Sequence, residues 1–163
     1  MQFSVNRGIH ALPRFLLMLW AALALAGCAV QFVADYDSTT FEEIIAIGKK
    51  VDLFYGDLLE TPAAARPYSK YADKYVDIEA DLRSLYIRNK ARPLNQDSTD
   101  ISDIILKLWL KYKGAHSVAN GYPDGIAKLD RARFTRLFVS AANAEAAKKL
   151  DSADRDAAQE SRQ

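Results

Sequence analysis

Two carboxylates and a guanidinium fall on positions that the apolar pattern assigns to the inside of a helix. Asp130 lies in the stripe Ile126, Phe134, Leu137, Phe138 and Ala141, and Arg133 falls in the same arc three residues on. Asp52 lies between Ile45 and Leu59 on the apolar side of an earlier segment. Side chains three apart on a helix are neighbours, and an unpaired buried charge is costly. Asp130 and Arg133 are therefore expected to pair and fix helix register. In the functional alternative, Asp52, Asp130 and Arg133 line a polar pocket for an anionic or amide-bearing ligand.

Other chemistry is thinly represented. Asp73, Asp77 and Asp81 recur every fourth residue, with Lys70 and Lys74 among them. That ladder faces away from the Tyr68, Tyr75 and Leu82 stripe and is expected to be solvated. A calcium ion wants oxygens wrapped around it from a loop instead. The sequence contains no His-Glu-x-x-His, Glu-x-x-His, Walker or Gly-x-Gly-x-x-Gly motif, so no metal or cofactor is expected. His116 sits in Gly114-Ala115-His116-Ser117, where a surface position at a helix C-terminus is expected. No nucleophile oriented by it can be named, so no catalytic residue is assigned. A hydrolase using two carboxylates has many candidate residues and no signature.

The elements that must position these groups are helical. Apolar residues recur at helical spacing over 40–60, 67–91, 99–113 and 124–150. Thr40-x-x-Glu43 matches a capping box for the first, whose stripe is Phe41, Ile44, Ile45, Gly48, Val51, Tyr55, Leu58 and Leu59. Pro62 and Pro67 bracket a loop, Pro93 stops the second helix, Gly114 is the expected stop of the third, and Asn120–Gly125 reads as a turn. Tyr68, Tyr71 and Tyr75 share one face, with rings inward and hydroxyls at the rim. Four amphipathic segments with short connections predict an all-α, up-down antiparallel four-helix bundle.

The third segment carries surplus apolar surface. Ile101, Ile104, Ile105, Leu108 and Tyr112 already make a core stripe, while Leu106, Trp109 and Leu110 add a second strip. A helix apolar nearly all round is buried all round or meets a partner. Either the chain termini cover Leu106, Trp109 and Leu110, or these three form a docking patch for a partner.

The chain begins with Arg7 and Arg14, an apolar run from Phe15 to Leu25, and then Leu25-Ala26-Gly27-Cys28. The run falls short of the roughly 20 residues a transmembrane helix needs, and its flanks match a secretory signal peptide. The ending resembles the lipobox of bacterial lipoproteins. The resemblance implies cleavage before Cys28, a thioether-linked diacylglycerol on Cys28 and acylation of its amino group. Ala29, in place of Asp, implies the outer membrane facing the periplasm. Several acyl chains hold a protein far more firmly than one.

Cleavage would remove two of the 22 basic residues, Arg7 and Arg14, and none of the 21 acidic ones, moving the formal charge from +1 to −1. No basic stripe for nucleic acid is visible. Cys28 is the only cysteine, so no intrachain disulfide can form. The expected organisation is a signal peptide over 1–27, a lipidated tether over 28–36, the bundle over 37–150 and a polar, disordered tail over 151–163. The functional expectation is a membrane-anchored periplasmic lipoprotein that binds or scaffolds an envelope protein, or self-associates, without catalysis. Its alternative is a small-molecule-binding bundle with a polar pocket.

Overall fold

The computed structural model describes residues 32–160. The expected signal peptide, Cys28 and most of the tether lie outside the described residues. A compact unit begins at Val33 and contains four long helices: α1 (Ser38–Glu60), α2 (Tyr68–Ala91), α3 (Gln96–Ala119) and α4 (Asp124–Glu160). A single 3-10 turn, Ala63–Ala65, interrupts the first connection. Each helix packs on its two neighbours, α1 on α2 and α4, and α3 on α2 and α4. The fold is the all-α four-helix bundle that the periodicity predicts.

Local chemistry sets the helix ends. Asp37, not Thr40, caps α1: its carboxylate accepts the Thr39 backbone N–H at 3.0 Å and the Thr40 hydroxyl at 2.6 Å. Those two bonds hold the Asp37 carboxyl below its ordinary range, the Thr40 hydroxyl contributing most. The expected capping box is unused, because Glu43 turns instead to Arg88 at 2.7 Å. Gly114 does not stop α3. The helix runs on to Ala119 and is closed by Asn120 in the left-handed region, whose N–H reaches the His116 carbonyl. The last helix likewise continues past Leu150 to Glu160, where a disordered tail was expected. Alanine and acidic residues there are compatible with helix once it is under way.

An aromatic cluster fills the centre. Phe54 meets Tyr75 at 4.6 Å, Trp109 at 5.1 Å and Tyr71 at 5.8 Å between ring centroids. Such pairs contribute about 0.5–1.5 kcal/mol each beyond their area burial. The core faces of three helices are rotated from the expected stripes. In α1, Ile47 and Phe54 are inside while Ile45 is half exposed. In α3, Leu106 and Trp109 are inside and Ile104 is 51 % exposed. In α4, Ala127 is inside and Ile126 is exposed. Where two apolar strips compete, the one carrying the large ring gains more from burial.

Candidate functional site

The docking patch expected on α3 does not exist as a surface. Trp109 is 0 % exposed, Leu106 is buried and Leu110 packs against the core. The Trp109 indole N–H donates to the Tyr75 carbonyl oxygen at 3.1 Å, and its ring meets Phe54, Tyr75 and Phe134. Neither terminus is needed to cover it, because α3 turns this strip toward the bundle axis.

Asp52, Asp130 and Arg133 do not form one pocket. Asp52 is half exposed and binds Arg131 through two bonds, 2.6 and 2.8 Å, which hold its carboxyl below the usual range. Asp130 is 1 % exposed, and both of its oxygens are taken. Arg133 donates to Oδ1 at 3.1 Å and the Tyr122 hydroxyl donates to Oδ2 at 2.7 Å. Since the Tyr122 proton goes to Asp130, the Tyr55 hydroxyl is the donor across the 3.4 Å to Tyr122. Arg133 also donates to the Tyr112 hydroxyl at 2.7 Å. The expected Asp130–Arg133 pair is present, in a network closed by two tyrosines rather than by a ligand.

His116 is buried, not on the surface. Its Nε2 faces the Arg66 carbonyl oxygen at 3.0 Å, which can only accept, so Nε2 carries the proton. Nδ1 then accepts from the Tyr75 hydroxyl at 3.1 Å. Burial pushes the His116 pKa down and those of Tyr55, Tyr75 and Tyr122 well above the ordinary phenol range. The ring is therefore neutral at pH 7, the phenols stay protonated, and both imidazole nitrogens are occupied. This arrangement holds two helices together and presents no free base. Among the described residues, no group of three His, Cys, Asp or Glu side chains could hold a metal ion.

What the bundle does offer is a groove between α1 and α4. Its volume is about 400 Å³, and Ile44, Ile45, Val51, Phe134, Phe138 and Val139 make its floor and walls. Gly48 lies on its lining: a Cβ there would lie 3.1 Å from Cγ of Phe138, tighter than an ordinary contact, so Phe138 would have to shift by a few tenths of an ångström. The rim is polar, formed by Lys49, Asn143 and the Asp52–Arg131 pair. Since Asp52 and Arg131 cancel, Lys49 leaves the rim with one net positive charge.

No protein-family model, curated protein or solved structure matches this chain.

A second polar assembly went unnoticed in the sequence. Glu145 is 0 % exposed and accepts from Lys148 at 2.6 Å, from Arg92 at 3.2 Å and from the Asp37 backbone N–H at 2.9 Å. Lys148 also reaches Asn95 Oδ1 at 2.5 Å and Ser98 Oγ at 2.9 Å. Only the spacing of Glu145 and Lys148 hinted at a pair, and nothing marked them as buried in an alanine-rich segment. At the opposite end Arg66, also missed, is buried and donates to the carbonyls of Thr61 and Tyr122 while pairing with Asp124 at 2.7 Å.

Proposed function

We propose that this protein is a lipid-anchored envelope module that works by binding, not catalysis, with the α1–α4 groove as its binding face. The anchor is the acylated Cys28 implied by the lipobox, and the location is the periplasmic side of the outer membrane. The observation that carries the binding reading is the groove itself: apolar within, polar at the rim and open to solvent. Its volume falls in the roughly 300–1,000 Å³ range of small-molecule pockets. A stable protein partner needs about 20–30 residues a side, more than the groove supplies, and the α3 patch that favoured such a partner is buried. The occupant that fits is a slender amphiphile, its apolar body against Phe134 and Phe138 and an anionic head near Lys49.

Dodecanoate is a suitable probe. Trp109 is the only tryptophan after residue 27, and its ring lies 5.7 Å from Phe134, which lines the groove. Titration should change Trp109 emission saturably. Ile45→Glu with Val139→Glu should abolish the change, while Val118→Glu, at an exposed position remote from the groove, should not. No saturable response, or the same response in the groove variant, counts against the reading.

A further inference from the structure

The tether is not loose where it joins the bundle. The Ala34 N–H donates to the Leu94 carbonyl oxygen at 3.0 Å, Arg92 donates to the Asp35 carbonyl oxygen, and the Asp37 N–H donates to buried Glu145 at 2.9 Å. Lys149 lies over the Tyr36 ring, 4.3 Å from its centroid. Residues 34–37 are thus strapped across the α2–α3 turn and α4 by a charged cluster built from Arg92, Glu145 and Lys148.

The geometry points to the α2–α3 turn as the face of the bundle that meets the bilayer, with Leu94 entering the lipid interface. This rests on the anchoring of Cys28 proposed above. Cys28 precedes Val33 by five residues, which extend at most about 18 Å. The strap delivers the chain beside Leu94, whereas α3, with 24 residues, carries its far end about 36 Å away. Leu94 itself is the second observation. It is a non-glycine residue at φ 57°, and its side chain is 53 % exposed at the tip of the turn. A leucine in the left-handed region carries a backbone cost, and about half of Leu94 still faces solvent. At an interface, the same leucine buries apolar surface.

Acylated Cys28 has no free thiol, so a cysteine introduced elsewhere is the single labelling site. The full chain, matured and acylated in a bacterial host, would carry a nitrobenzoxadiazole label at Leu94→Cys, Gln96→Cys or Val118→Cys. Each would be reconstituted into phosphatidylethanolamine–phosphatidylglycerol vesicles containing doxyl-labelled phosphatidylcholine, with native folding checked by Trp109 emission. The labels at 94 and 96 should lose most of their fluorescence to the doxyl groups, and that at 118 should keep its own. Gln96→Cys covers the case in which the Leu94 variant misfolds. Equal quenching at both ends, or stronger quenching at 118, overturns the orientation while the anchor stands. Protein that fails to sediment with the vesicles overturns the anchor, and the orientation with it.

Discussion

Tyr122 donates its hydroxyl to Asp130 over 2.7 Å, joining the α3–α4 turn to the one carboxylate buried in the first turns of α4. At 1 % exposure, Asp130 is shut off from bulk solvent. Tyr122→Phe should therefore destabilise the fold by about 1–3 kcal/mol, the cost of an orphaned buried acceptor. Urea unfolding followed by circular dichroism measures it. A loss under a few tenths would mean that Arg133 alone satisfies the carboxylate.

Trp109 sits at the centre of the aromatic cluster. Trp109→Ala should cost about 3–5 kcal/mol and shift the urea midpoint accordingly. A surface role would predict a nearly unchanged midpoint.

Glycine contrasts test the groove. Gly56 and Gly114 lie within helices with nothing within 4 Å of an added Cβ. Replacing either by alanine should stabilise by about 1 kcal/mol through helix propensity. At Gly48 the same methyl crowds Phe138, a strain of about 1–3 kcal/mol that offsets or exceeds the gain. Thermal melts of the three variants should place Gly48→Ala below the other two. Equal gains at all three positions would contradict the close approach.

His116 makes stability depend on pH. Burial holds its folded pKa below the ordinary histidine value of 6.5, against a smaller opposing effect of the hydrogen bond to the Arg66 carbonyl. Between the two values the unfolded chain binds more protons than the folded one, so stability rises with pH in that window. The contribution is complete above pH 6.5 and is lost as pH falls toward the folded pKa. His116→Gln should remove this slope from urea midpoints measured just below pH 6.5. A wild-type midpoint flat across that window would argue against a buried neutral ring.

Glu145 holds two cations and the strap. Glu145→Ala leaves Lys148 buried beside neutral groups, and loss of one partner from such a pair costs about 3–5 kcal/mol. Hydrogen exchange at the Asp37 N–H should also accelerate more than exchange in the centre of α2. Uniform acceleration would mean that Glu145 stabilises the bundle without holding the strap.

The amino-acid order alone determined the helical class, the number of long helices, the end of α1, both ends of α2 and the start of α4. Those depend on local period, on Pro62, Pro67 and Pro93, and on turn chemistry around Asn120, all of which act within a few residues. It also made the Asp130–Arg133 pair legible, because neighbours on one helix face follow from spacing. Tertiary packing decided which of two apolar strips on α3 turned inward, since Trp109 gains from Phe54, Tyr75 and Phe134, which come from three other helices. It also sent Asp52 outward to Arg131, 79 residues away, and gathered Arg92, Asn95, Glu145 and Lys148 with the backbone of Asp37. Ion pairs and grooves between distant segments leave no periodic trace in a chain. They arise when helices dock, because only then do desolvation and shape choose among side chains that look equivalent along the sequence.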